Sequence, residues 1–275
     1  MRIDAHQHYW DPNKLDYLWM PKDHPVLSRT YLPQDLEPIL ERNNFDGSVF
    51  VQASHDPREA AWILDIASRH PSILGVVAWA DLTSPDLGLT LDRLQKDPKF
   101  KGIRHILHDE PDVDWGLREN VIGGLRELAR RNIPYDLLLK VPHMHIVEPL
   151  AEKLPSLRMV IDHIAKPCIA DRIFDGWAQN MERIAKIPSV HVKLSGMITE
   201  AKHDSWKSED LRPYVQHVVN LFGPDRLMFG SDWPVCLLAG SWKEVLAAFT
   251  QALGPRQEDF RLKILGDTAA KFYNL

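Results

Sequence analysis

Eight short runs of β-branched and apolar residues recur along the chain: Arg2–His6, Ser48–Ala53, Leu74–Ala80, Gly102–Leu107, Tyr135–Lys140, Arg158–His163, Val190–Ser195 and Arg226–Ser231. Runs of this kind read as strands buried on both faces, and parallel strands need a crossover, usually a helix, between one and the next. The intervening stretches have helical character. From Leu117 to Arg131, the residues Leu117, Val121, Ile122, Leu125, Leu128 and Ala129 repeat at spacings of three and four. Pro57–Arg69 and Asp210–Phe222 read the same way, as does Gln34–Asn44. Ser241 and Glu244 match a capping box at another helix start. Eight strands alternating with helices predict a parallel sheet closed by right-handed crossovers, an α/β (β/α)8 TIM barrel. An open doubly wound sheet is the weaker alternative, since neither a G-x-G-x-x-G fingerprint nor a Walker loop is present. The 275 residues suit one such domain, 1–275, because barrels of this type run to about 250 residues.

Composition narrows the function classes. At 44% hydrophobic and 26% charged, the chain can bury a core, which excludes a disordered segment or a fibre. No window approaches 18 uncharged apolar residues, so no membrane partner is expected. Lys and Arg number 33 against 38 Asp and Glu, net −5, without a basic block, so no nucleic-acid partner is expected either. Cys168 and Cys236 form neither a disulfide framework nor a cysteine zinc site. Free thiols and a start without a signal-like apolar core point to the cytoplasm. Self-association into a homo-oligomer is left open.

One connection is unusually long. Between the first two strands, the stretch from Tyr9 to Leu32 carries Trp10, Tyr17 and Trp19 with three prolines. Structureless loops of this length are uncommon in compact domains. Its aromatics predict order, and we read this first βα loop as a lid over the barrel mouth.

Active sites of such barrels lie at the C-terminal ends of the strands. There the sequence places Asp4-Ala5-His6-Gln7-His8 after the first strand, Asp162-His163 after the sixth and Gly230-Ser231-Asp232-Trp233-Pro234 after the eighth. His6 and His8, two apart on a strand, point to one face and can reach one metal ion. The spacing alone is weak: thirteen histidines in 275 positions give roughly 0.6 such pairs by chance. The second pair, His143 and His145, is assigned to chance. The combination is stronger. In a closed barrel the first and eighth strands are neighbours, so Asp232 can meet His6, His8 and His163 around one divalent ion, zinc first.

The Asp4-Ala5-His6-x-His8 start, Asp162-His163-x-x-Lys166-Pro167 and Gly230-Ser231-Asp232-Trp233-Pro234 together resemble the amidohydrolase superfamily. They are most similar to its branch of sugar-lactone and dicarboxylate-lactone hydrolases, and the likeness runs from residue 2 to Tyr273. The resemblance implies a (β/α)8 barrel that opens lactones such as L-fuconolactone, L-rhamnonolactone or 2-pyrone-4,6-dicarboxylate, with Asp232 handling protons. The superfamily's bridging carboxylated lysine is expected at the end of the fourth strand. Arg104-His105 stands there instead, which argues against a two-metal site. Some relatives in this branch work without metal, so the ion can be dispensable.

The chemistry agrees. A lactone needs an electrophile at its carbonyl oxygen and a deprotonated water beside it. Asp232 is the expected general base, returning its proton to the leaving ring oxygen. His163 is expected either to bind the metal or to hydrogen-bond the carbonyl. Substrate contacts are expected from Arg104, His105, Lys166 and Gln52, with Trp79, Trp233, Trp10 and Trp19 as stacking surfaces. Two rival readings are a metal-dependent decarboxylase on the same barrel and an inactive barrel that serves as a binding protein.

Overall fold

The computed structural model describes residues 1–275. All eight anticipated strands are present: β1 (Ile3–Gln7), β2 (Gly47–Val51), β3 (Ile73–Ala78), β4 (Phe100–His105), β5 (Tyr135–Leu137), β6 (Met159–Ile161), β7 (Val190–Leu194) and β8 (Leu227–Phe229). Each pairs in parallel with the next, in chain order from β1 to β8. The helices are α1 (Pro33–Arg42), α2 (Arg58–Arg69), α3 (Leu87–Leu94), α4 (Glu119–Arg130), α5 (Val147–Lys153), α6 (Trp177–Ile184), α7 (Ser208–Phe222) and α8 (Trp242–Leu253), followed by the short α9 (Glu258–Leu262) and α10 (Thr268–Tyr273). The fold is a (β/α)8 barrel. The anticipated capping box opens α8: Glu244 N–H donates to Ser241 Oγ, and Ser241 N–H donates back to Glu244 Oε2. No helix is long and apolar enough to cross a membrane.

The barrel closes beyond the end of its last strand. Asp232 N–H donates to His6 O at 2.8 Å, and His8 N–H donates to Trp233 O at 2.7 Å. Gly230 makes this approach possible, because a Cβ there would stand 2.6 Å from His6 Cβ. The seam between first and last strands is therefore built from the motif residues themselves.

Two apolar clusters hold the architecture. The larger one packs the helices onto the outside of the sheet and extends into the first loop. In the smaller one, Ile3, Ala5, Val49, Val51, Val77, Val160 and Met228 from five strands meet Ala269, Phe272 and Tyr273 of α10. Helix α10 thus plugs the end of the barrel opposite the motifs. The first loop is ordered, as its aromatics predict. Trp10 pairs with Tyr31 across a backbone bridge, and its indole N–H donates to Leu27 O and Arg29 O.

Candidate active site

The structure brings His6, His8, His163 and Asp232 to one place at the C-terminal mouth. Asp232 Oδ1 lies 3.3 Å from His8 Nε2, 3.7 Å from His6 Nε2 and 3.8 Å from His163 Nε2. The Nε2 atoms of His6 and His8 are 3.3 Å apart. Asp4, which opens the first motif, accepts from Ser231 N–H at 2.8 Å and from the Trp242 indole at 2.7 Å. It thereby ties α8 and the last strand's extension to β1.

His163 is set by unusual backbone. His163, Ile164, Ala165 and Lys166 all have positive φ, at 54°, 47°, 60° and 48°. Each such residue costs roughly 1–2 kcal/mol, and a β-branched residue is rare there. The turn is held by the Trp177 indole, which donates to Ile164 O at 2.7 Å, and by Ser195 Oγ, 2.9 Å from His163 Nδ1. Gly196 leaves room for the ring, since a Cβ there would come within 2.5 Å of His163 Nδ1. Asp232 also has positive φ, at 58°. Strain of this kind persists only where surrounding contacts over-determine it, and it gathers at functional sites.

The electrostatics prepare a set of lone pairs. Burial pushes the imidazole of His163 down to about 4, lowers His8, and drives His6 well below the ordinary histidine value. Burial thus favours the neutral imidazole in all three. Burial pushes the Asp232 carboxyl up, but His163, His8 and His6 outweigh it and hold it below the usual carboxylate range. His8 Nδ1 lies 2.6 Å from Val51 O, a pure acceptor, so its proton is on Nδ1 and its lone pair on Nε2 faces Asp232. Ligands about 2.0–2.1 Å from a tetrahedral ion stand roughly 3.3 Å apart. The His6–His8 and His8–Asp232 separations match that edge, so His6, His8 and Asp232 could hold a divalent cation. His6, Asp162 and His163 form a second compatible group around the same ring.

A cavity of about 260 Å³ opens over this spot. His8, His163 and Asp232 line it together, with Arg104, Lys166 and Trp19 among its other walls. Arg104 is buried and forked: Nε donates to Gln52 Oε1 at 3.1 Å and one terminal nitrogen to Asp162 Oδ2 at 3.1 Å, while the other bonds Gln52 O. Gln52 therefore holds Arg104 and is fully buried. Lys166 pairs with Glu200 at 2.9 Å. The indole of Trp19 donates to Ala53 O at 2.7 Å, which anchors the first loop at the cavity rim.

The other expected substrate contacts sit away from the cavity wall. His105 faces outward from β4, stacked on Trp115 at 4.1 Å and on His55 at 4.7 Å. It accepts from the Trp79 indole and bonds Glu110 at 2.7 Å. Trp79 belongs to that outer stack. Trp10 and Trp233 are buried among Tyr9, Tyr17, Trp19 and Tyr31. Cys236 is fully buried, and burial raises its thiol well above the ordinary value, so it packs rather than reacts.

Residues not singled out from the sequence also take part. His108 lines the cavity, its imidazole pushed down to about 2 by burial and then by Lys166. Asp162 bridges Arg104, His6 and Lys193. Inward spacing along β5 and β7 was the available signal for Asp136 and Lys193, but lone charges in short strands look like solvated ones.

The chain is similar to known proteins over its whole length. A family model described as Amidohydrolase matches residues 3–275. An L-fucono-1,5-lactonase from Burkholderia ambifaria is 38% identical over 283 residues, covering 100% of this chain and 96% of that protein. An L-fucono-1,5-lactonase from Burkholderia multivorans is 35% identical over 286 residues, covering 100% and 96%. The crystal structure of an amidohydrolase from Burkholderia multivorans with bound Zn superposes with a TM-score of 0.93 at 35% identity, covering 100% of this chain and 99% of that one.

Proposed function

The chain belongs to the amidohydrolase family, and from that premise we propose that it hydrolyses the ring ester of a sugar-acid lactone such as L-fuconolactone or L-rhamnonolactone. The observation that carries this reading is the convergence of three imidazoles and the Asp232 carboxyl at the end of a small cavity. Its volume, about 260 Å³, lies just below the roughly 300–1,000 Å³ of drug-sized ligand sites and suits a single sugar ring. The L-fucono-1,5-lactonase relatives support the substrate class.

In this reading Asp232 takes a proton from water and returns it to the ring oxygen as the ester bond breaks. His163 hydrogen-bonds the carbonyl oxygen or serves as a further metal ligand. Arg104, at the cavity wall, stabilises the negative charge that develops there. Lys166 and Trp19 orient the sugar hydroxyls and ring, and the first loop limits water entry. His6, His8 and Asp232 would hold one divalent cation, zinc first. Such an ion, when bound, supplies Lewis acidity that polarises the carbonyl and makes a water proton easier to remove, which suits a base as weak as Asp232. The free thiols of Cys168 and Cys236 support a cytoplasmic setting.

The test is acid release, followed with a pH indicator, across a panel of aldonolactones before and after chelation, with elemental analysis of the purified protein. Asp232→Asn is expected to keep the fold and lose about 10²–10⁴-fold in rate, the usual worth of a general base. Equal rates for parent and variant would remove Asp232 from its role. No acid from any lactone, or release of carbon dioxide from an aromatic acid, would overturn the assignment.

A further inference from the structure

Beneath the reactive spot lies a buried charged cluster that the proposed reaction does not use. Lys193, on β7, is fully buried. Its Nζ stands 2.6 Å from Asp136 Oδ2, 3.1 Å from Asp162 Oδ1 and 3.3 Å from His6 Nδ1. Tyr273 of α10 braces the cluster from below, its hydroxyl donating to Asp136 at 2.7 Å. Barrel interiors are ordinarily filled by branched apolar side chains, and each ion taken out of water costs several kcal/mol before pairing. The three N–H donors of the ammonium thus face two carboxylates and one imidazole, which ties the charge state of this cluster to His6.

The contacts at His6 conflict. An ammonium only donates and a carboxylate only accepts. Asp162 Oδ1 is 3.3 Å from the same His6 Nδ1 that Lys193 approaches, and one nitrogen cannot serve both. With its proton on Nε2, His6 accepts from Lys193 and donates to His8 Nε2, whose lone pair is free because His8 Nδ1 is committed to Val51 O. With its proton on Nδ1, His6 turns that proton toward Asp162 Oδ1 at 3.3 Å, a buried acceptor that has no aligned hydrogen bond. Only the second tautomer turns the Nε2 lone pairs of both His6 and His8 toward Asp232, as a divalent cation requires.

We propose that Lys193 is a positioning residue that selects between the two tautomers of His6, and that Asp136 sets the balance by drawing the ammonium away from His6 Nδ1. The inference rests on the reading of His6 as a ligand. Its consequences have opposite signs in two variants. Asp136→Asn weakens the pull on Lys193, favours the proton on Nε2, and loosens divalent binding. Lys193→Met combined with Asp136→Asn removes both charges together, so that neither is left buried without the other. It leaves Asp162 as the partner of Nδ1 and tightens binding.

The experiment uses the full chain with labelled histidines. Nitrogen shifts of His6, recorded without added metal, report the tautomer, and competition with a chromophoric chelator reports affinity for Zn2+ alone. The double variant is expected to carry its His6 proton on Nδ1 and to bind zinc about tenfold tighter, the worth of one modest hydrogen bond. Asp136→Asn is expected to bind zinc about tenfold more weakly. Tyr135→Phe, which removes a buried hydroxyl without a partner, leaves both readouts unchanged. A merely structural role for the cluster loosens zinc in both charge variants. Unchanged His6 shifts in the double variant, or looser zinc there, overturns the proposal. Neither readout uses a lactone, so a parent that opens no lactone defeats the proposed function and leaves this inference standing.

Discussion

Gly196 offers a sharp test of how the site is held together. It has φ +63°, and an added Cβ would lie 2.5 Å from His163 Nδ1. Gly196→Ala therefore does two separable things. The left-handed backbone costs about 1–2 kcal/mol for any residue with a Cβ. The clash adds a displacement: the 2.5 Å gap must open to ordinary contact at 3.4 Å, moving the ring by roughly 0.9 Å. A misplacement near 1 Å costs on the order of 10²-fold in rate. Gly223 supplies the control, with φ +67° and nothing within 4 Å of its would-be Cβ. Both alanine variants should lose stability, read as about 2–4 °C in Tm per kcal/mol for a chain of this size. Only Gly196→Ala should lose lactonase kcat/KM, by about 100-fold. Thermal melts and steady-state rates on the two proteins decide it. Unimpaired turnover in Gly196→Ala, or an equal loss in Gly223→Ala, would show that the position of His163 does not control the reaction.

Trp177→Phe removes the indole donor to Ile164 O and should cost about 1 kcal/mol in denaturant unfolding while lowering kcat/KM through a slackened turn. Lys166→Met should raise KM several-fold with kcat nearly unchanged if the ammonium orients substrate; an unchanged KM would return Lys166 to its pairing with Glu200. His191, outside the site, is lowered by burial to about 4 from 6.5. The unfolded chain binds its proton first, so its contribution is fully present above pH 6.5 and is lost as pH falls toward 4. His191→Gln should flatten the stability–pH slope in that window, measured by urea unfolding, and an unaltered slope would remove His191 from the acid response.

Parallel strands buried on both faces leave short runs rich in apolar and β-branched residues, so all eight could be read from the sequence. The adjacency of first and last strands in a closed barrel also places Asp232 beside His6 and His8 from the sequence alone. What stayed hidden was orientation. The run around Gly102–Leu107 is apolar on both sides of Arg104-His105, so nothing in it says that Arg104 faces inward and His105 outward. The tryptophans were ambiguous for a related reason: an indole suits a core as well as a sugar. Trp19 reached the cavity, while Trp10 and Trp233 went into packing under the loop. Lys166 and His163 owe their direction to a left-handed turn through Ile164, a residue whose propensity argues against such a backbone. Lys193 and Asp136 announce themselves only when strands far apart in sequence are brought face to face.

The barrel seam has a consequence for how the protein comes to be active. The amide of Asp232 is bound to residue 6 and the carbonyl of Trp233 to residue 8, so the atoms that complete the cylinder also complete the reactive spot. A chain emerging from the ribosome holds its first histidines long before their carboxylate partner is made. On the proposed role of Asp232, competence arrives in one late event, when the ends of the polypeptide find each other, and an opening that parts them would silence the enzyme while most of its helices are still in place.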